Sequence, residues 1–117
     1  MSGVAKGQTQ GGGHFHRWVL AANEDGDPLS HVGAADRTVH IFGTFSGGPT
    51  ITLQGSNDPT LAAGSWATLH DLAGAEIVAT GITIAMLAEN PEFIRPILSG
   101  GDGSTAVNIN ILSKTGR

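Results

Sequence analysis

The sequence contains no cysteine and no tyrosine, and only 14% of its 117 residues are charged. The absence of cysteine excludes disulfides, thiolate metal sites and a cysteine nucleophile. No apolar run approaches the roughly 18 residues that a membrane-spanning helix needs. The six basic residues are scattered, whereas nucleic-acid binding depends on concentrated positive charge. We therefore expect no membrane span and no direct nucleic-acid binding.

Glycine is abundant, at 18 residues, and the 39% apolar content is ordinary for a folded globule. The clearest strand signal is the alternation in Thr50–Gly55, where Ile51 and Leu53 fall on one face and polar residues on the other. A similar β-branched and aromatic run precedes it, separated by the turn residues Ser46–Pro49. We therefore predict a β-hairpin over residues 38–55.

Other segments have strand character and are bounded by turn residues, namely 14–21, 66–69, 76–79, 82–86, 92–98 and 106–112. Pro96 predicts that its strand is an edge strand or carries a bulge. Seven or eight short strands without a convincing helix predict an all-β fold, either an antiparallel β-sandwich or a jelly-roll-like barrel. The alternation assigns one core to Val39, Ile41, Ile51, Leu53, Trp66, Leu69, Ile94, Val107, Ile109 and Ile111.

The first thirteen residues contain five glycines and little apolar material. We divide the chain into an extended Gly-rich N-terminal arm, residues 1–13, and a single β domain, residues 14–117. Ordering the arm costs backbone entropy on the order of 10 kcal/mol, so wherever the arm is ordered a partner surface must offset that cost. We expect the arm to be disordered in the free protein. Its predicted partner-binding residues are Val4, Lys6, Gln8 and Gln10.

Two motifs resemble parts of metal sites. His14 and His16 would share one face of a strand, but no third ligand lies at a diagnostic spacing. We interpret them as polar positions flanking a buried Phe15. Residues 23–28, NEDGDP, begin like a calcium loop but lack its closing glutamate. We therefore assign the histidine pair to a strand and the NEDGDP segment to a turn, and we expect no bound metal.

The pair His70-Asp71 is the best catalytic candidate. Neighbouring strand residues point to opposite faces, so Asp71 would be poorly placed to orient His70. No nucleophile elbow, zinc-protease motif or phosphate-binding loop is present in the sequence. We predict no catalytic centre and no cofactor. The N-terminus also lacks the apolar region of a secretory signal, so we expect synthesis in the cytoplasm.

Two segments resemble a known family. Residues 43–74, GTFSGGPTITLQGSNDPTLAAGSWATLHDLAG, are similar to small structural proteins of tailed bacteriophages, in which a GTF-GG-x-x-x-x-LxGSND segment precedes W-x-x-L-x-D-x-x-G. Residues 89–112, ENPEFIRPILSGGDGSTAVNINIL, are similar to the closing unit of that family. The resemblance covers about residues 38–113, and its motifs are mostly turn and packing positions.

The resemblance implies a virion component made in the host cytoplasm. The protein we expect is a capsid decoration, or cement, protein on the outer capsid surface. Such a protein would bind and stabilise the shell of major capsid protein, and we expect a homo-oligomer, a dimer or a trimer. In this role the arm would lie on a neighbouring decoration subunit or on the major capsid protein.

The alternative is a binding module on a head fibre or tail that contacts a host glycan or surface protein. Its contacts would come from loops 55–65 and 99–104, with Asn57, Asp58 and Asp102 as the candidate residues. The competing interpretation of the GSND segment is a return turn, held by bonds from its side chains to the backbone.

Overall fold

The computed structural model describes residues 5–8, 14–30 and 36–114, which form an all-β fold as predicted. A short 3-10 turn at Ala63–Ser65 is its single helical element among the described residues. The strands, in chain order, are β1 (Ala5–Gln8), β2 (His14–Leu20), β3 (Leu29–Ser30), β4 (Asp36–Thr44), β5 (Thr50–Ser56), β6 (Ala67–Thr68), β7 (Val78–Ala79), β8 (Thr83–Met86), β9 (Phe93–Ser99) and β10 (Ala106–Lys114).

The strands form two antiparallel sheets that pack together as a β-sandwich. The first sheet has the order β1-β2-β10-β4-β8, and the second has the order β3-β9-β5-β6, with β7 also paired to β5. Buried residues of both sheets form one hydrophobic cluster. Every predicted core residue except Trp66 is buried, and the cluster also contains Trp18, Leu20, Leu29, Ile77, Ala79, Leu87 and Leu98.

The predicted hairpin over residues 38–55 is wrong. Strand β4 pairs with β10 and β8 in the first sheet, whereas β5 pairs with β9, β6 and β7 in the second. The turn between them crosses the sandwich, and Gly47 and Gly48 adopt positive φ angles of 79° and 66°. Alternating apolar residues such as Ile41 and Ile51 bury one face of each strand. This pattern is the same whether the two strands are neighbours in one sheet or face each other across the core, so it does not distinguish the two arrangements.

The interpretation of His14 and His16 as polar residues around a buried Phe15 is also wrong. His16 and Trp18 are buried in β2, while Phe15 is only partly buried and faces outward. Trp18 fills the core and donates its Nε1–H to the Asp27 carbonyl oxygen, 2.9 Å away. A buried indole with a satisfied N–H contributes more apolar burial than Phe15 would, and this sets the orientation of the strand.

Pro96 lies in β9, which is an interior strand between β3 and β5. Asp25 pairs with Ile97, but Leu29 pairs with Ile94, so the register of the flanking segment shifts by one residue beside the proline. The extra residue lies in the flanking segment, at residues 26–28, whereas β9 keeps one register with β5 throughout. The prediction that the strand of Pro96 is an edge strand or carries a bulge is therefore wrong. Gly26 fits beside Pro96 because a Cβ there would come within 2.7 Å of the proline ring.

The predicted arm contributes strand β1. Ala5–Gln8 pairs antiparallel with β2, and the register places Ala5 opposite Arg17 and Gln8 opposite His14. For these four residues the structure shows a backbone partner within the same chain, because β2 follows close in sequence. The division into an arm and a domain stays a prediction for the other arm residues.

Candidate binding surfaces

The outward side of the first sheet carries a regular array of side chains, which we call the outer face. The strand registers align them in three rows across β2, β10, β4 and β8. The rows are Phe15–Leu112–Thr38–Met86, Arg17–Asn110–His40–Ile84 and Val19–Asn108–Phe42. Arg17 is the single charged residue among these eleven.

Contacts within the outer face hold its polar and aromatic side chains in place. Arg17 donates from Nε to Asn110 Oδ1 at 2.8 Å, and its guanidinium carbon lies 5.1 Å from the centroid of the Phe15 ring. The rings of His40 and Phe42 lie with their centroids 4.7 Å apart. Between these groups is a groove of about 370 Å³, lined by Phe15, Thr38, His40, Ile84, Asn110 and Leu112.

The composition of the outer face is that of a contact surface. Interfaces are enriched in aromatic residues, methionine and arginine and depleted in lysine and acidic residues. Four strands about 4.8 Å apart and about 20 Å long give roughly 400 Å² of sheet surface, the size of patches that mark interaction sites. Val19 and Ile84 within it are 49% and 67% exposed. This surface is suited to bind a protein.

The predicted loop residues Asn57 and Asp58 form hydrogen bonds within the domain. Asn57 Oδ1 accepts the Glu92 N–H at 2.7 Å and joins this loop to the start of β9. Asp58 accepts N–H bonds from Thr60 and Ala62, and these bonds lower the pKa of its carboxyl. These bonds support the interpretation of the GSND segment as a turn stabilised by its own side chains.

The predicted contact residue Asp102 also stabilises a turn. Its carboxylate accepts bonds from the Ser104 N–H and the Ser46 hydroxyl, and its pKa is lowered as a result. Thr50 pairs with Ser99 at one end of β5, whereas Ser56 pairs with Phe93 at the other. The structure therefore places loops 55–65 and 99–104 at opposite ends of the sandwich, about 20 Å apart, and they share no ligand site.

A second groove, of about 430 Å³, lies at the loop end of β5 and contains a histidine–glutamate pair. Glu89 contacts His70 twice: the His70 backbone N–H donates to Oε1 at 2.8 Å, and ring Nδ1 lies 2.5 Å from Oε2. The backbone bond from His70 is the main reason that the pKa of Glu89 is lowered. The groove is also lined by Ser56, Asn57, Ser65, Thr68 and Asn90.

Sequence reasoning missed the pairing of His70 with Glu89, since the two are 19 residues apart and no motif joins them. As expected, Asp71 does not orient His70: its Oδ1 accepts the N–H groups of Ala73 and Ala75 in the following turn. The segment of Glu89 is held because Arg37 donates to the Pro91 carbonyl and Pro91 packs on Gly55. The pair therefore lies on a fixed part of the chain.

The remaining predicted site residues belong to the arm. Lys6 pairs in register with His16, and Gln8 pairs with His14. Val4 and Gln10 lie outside the residues that the structure describes. The partner-binding role of these four residues stays a prediction.

Metal and membrane features can be assessed over the described part of the chain. His, Asp and Glu residues there form no group of three that could hold a metal ion. The NEDGDP segment instead runs beside β9, where Gly26 donates to the Pro96 carbonyl and Leu98 donates to the Glu24 carbonyl. No helix within the described ranges is long and apolar enough to cross a membrane.

Comparison with known proteins found no matching family model, curated protein or solved structure.

Proposed function

We propose that this protein is a non-enzymatic structural protein of a tailed-phage virion, a decoration protein that binds the outside of the major capsid protein shell and stabilises it. The outer face is the observation that carries the proposal. It is broad, nearly uncharged and partly apolar on a chain whose formal net charge is −4. The similarity of residues 38–113 to phage structural proteins supplies the class of partner.

The physical reasoning connects this surface to shell stabilisation. A protein that binds only the assembled shell stabilises it by mass action, without any chemical step. Apolar contact area supplies most of the binding free energy, and the absence of acidic groups on the eleven residues of the outer face avoids burying unpaired charges. Arg17, already held by Asn110 and Phe15, loses little side-chain entropy on binding.

The proposal is tested by cosedimentation with shells of the major capsid protein encoded in the same genome. Val19→Glu places a charge on the outer face and should abolish binding, because a buried unpaired carboxylate is costly. Val78→Glu is the matched control, since Val78 is 47% exposed against 49% for Val19 but lies in the second sheet. Equal binding of both variants, or no binding by the unaltered protein, would contradict the proposal.

The second groove favours one alternative function. Its hydroxyl, amide and carboxylate groups are suited to hydrogen-bond a polar ligand, such as the host glycan that a fibre or tail module would contact. Binding of a host glycan that Glu89→Gln weakens, together with absence of shell binding, would favour this function over decoration. The outer face has no role in glycan binding, and for this reason we favour capsid decoration as the function.

A further inference from the structure

Arg17 carries the single charge among the eleven residues of the outer face, and the contacts around it hold its guanidinium in one orientation. Its Nε–H donates to Asn110 Oδ1 at 2.8 Å, and the guanidinium carbon lies 5.1 Å from the centroid of the Phe15 ring. An arginine side chain has five N–H donors, of which four are on the terminal nitrogens Nη1 and Nη2. Within the described part of the chain, these four groups donate to no residue.

No carboxylate in the described ranges forms an ion pair with Arg17. The five strands of the first sheet contain one acidic residue, Asp36 in β4. By register it lies two strands across and four positions along from Arg17, or roughly 17 Å away. Glu24 accepts the Ala21 N–H, four positions further along the chain from Arg17 and roughly 13 Å away. Both carboxylates are well beyond the distance of an ion pair.

Binding of the outer face to another protein would remove water from the Arg17 guanidinium. Removal of a charged group from water is strongly unfavourable unless an opposite charge and further hydrogen bonds replace that water. Because the described chain supplies no such charge at this position, the covering surface has to supply it. This argument rests on the proposed function, in which the shell of major capsid protein covers the outer face.

The geometry of Arg17 selects the kind of anion. With Nε bonded to Asn110, the remaining donors are the two terminal nitrogens, whose parallel N–H groups match the two oxygens of one carboxylate. A ligand with many phosphates, such as a nucleic acid, needs several cations along its length. The outer face contains no second lysine or arginine. A single carboxylate therefore fits this site better than a polyanion does.

We propose that the major capsid protein presents an aspartate or glutamate to the outer face, and that Arg17 binds its carboxylate through both terminal nitrogens. Two parallel hydrogen bonds of about 2.8 Å would form. Asn110 and Phe15 position the guanidinium before binding, which reduces the side-chain entropy lost when the complex forms. Arg17 is therefore a specificity-determining residue, because a surface with a neutral or basic residue at this point would leave its charge unpaired.

The dissociation constant for shells of the major capsid protein tests the ion pair through Arg17→Met, which keeps an unbranched side chain but removes the charge. The variant would leave the shell carboxylate buried without a partner, so the dissociation constant should rise at least about 30-fold. Without such a carboxylate the same change removes an unpaired charge, and binding should stay equal or become tighter. Arg95→Met is the matched control and should bind like the unaltered protein, since Arg95 makes the same kinds of contact on the second sheet.

Cross-linking identifies the partner's residue and does not depend on the stability of the methionine variant. Arg17→Lys keeps the positive charge and places a primary amine at this position. A carbodiimide joins an amine to a carboxylate by an amide bond without a spacer, so it links only groups that are in contact. Mass spectrometry of treated complexes should find position 17 joined to an aspartate or glutamate of the shell protein. The unaltered protein has no amine at this position and should give no such product.

The outcomes separate this inference from the proposed function. The ion pair is overturned if Arg17→Met binds shells as tightly as the unaltered protein, or if Arg17→Lys binds them without a cross-link from position 17. If Val19→Glu abolishes binding in the same experiments, the outer face is still the contact surface, and the proposed function stands without the carboxylate. An unaltered protein that binds no shells would overturn the proposed function and this inference together.

Discussion

The guanidinium carbon of Arg95 lies 4.2 Å from the centroid of the Trp66 ring. Arg95 also donates from Nε to Gln54 Oε1 at 3.0 Å, so the guanidinium is held between an aromatic ring and an amide. Arg17 makes the same combination of contacts on the other sheet, with Phe15 and Asn110. Trp66 was predicted to be a core residue, and this is wrong: it is half-buried and covered by Arg95.

Removing the cover should change the environment of Trp66. Arg95→Ala is expected to shift tryptophan emission to longer wavelength and to lower the free energy of unfolding by about 0.5–1 kcal/mol, the range for an exposed cation–π contact. Arg17→Ala is the control, because it removes the corresponding contact over a phenylalanine and should leave the emission unchanged. Identical emission from the two variants would show that Arg95 does not shield Trp66.

Gly55 should tolerate no side chain. A Cβ at this position would lie 2.6 Å from Pro91 Cγ and 2.8 Å from Leu69 Cδ2. Gly55→Ala is therefore expected to lower the free energy of unfolding by about 1–3 kcal/mol through overpacking. Gly64→Ala is the matched control, since a Cβ there meets nothing within 4 Å. Thermal denaturation of both variants checks the prediction, and equal melting temperatures would contradict it.

The alternation of apolar residues predicted the strands and the core, but it did not predict how the strands are arranged. In the final strand the alternation of Val107, Ile109 and Ile111 assigns one face without ambiguity, and all three are buried. In β2 apolar residues occupy both faces, so the orientation depends on whether Trp18 or Phe15 fits the core better. The sequence pattern could not decide that competition.

The pairing of His70 with Glu89 could not be predicted for a different reason. Its two residues are distant in sequence, and the contact exists because three further contacts fix the segment around Pro91. The backbone bond from Ala88 to the His70 carbonyl and the packing of Gly55 against Pro91 bring the two side chains together. By contrast, the turn role of Asp58 follows from local spacing, and the sequence was sufficient to propose it.

The lowered pKa of Glu89 predicts a pH dependence. Its folded-state pKa lies below the ordinary value of 4.5, chiefly because the ionised carboxylate accepts the His70 backbone N–H. The resulting stabilisation is present above that ordinary value and is lost as pH falls through the lower folded-state pKa. Glu89→Gln should therefore melt below the unaltered protein at neutral pH, and the difference should shrink towards zero in strong acid. A difference in melting temperature that stays constant over this pH range would contradict the prediction. Glu76→Gln, at an exposed position, is the control.

The arm should contribute to shell binding more than to folding. Among the residues whose burial the structure describes, all buried core residues lie after residue 14, so a chain lacking residues 1–13 is expected to fold. Its circular dichroism should lose only the contribution of the four-residue strand β1. It should dissociate from shells at lower temperature than the full chain, because the contacts predicted for Val4, Lys6, Gln8 and Gln10 are lost. Equal retention of the two chains on heated shells would show that the arm has no binding role.

A cryo-electron microscopy reconstruction of the virion tests most directly that the outer face binds the capsid. We expect density for this protein on the outside of the shell, with strands β2, β10, β4 and β8 turned towards the major capsid protein and Val19 within the contact. Density at a fibre or tail, or on the shell with loops 55–65 in contact and the outer face exposed to solvent, would contradict the account.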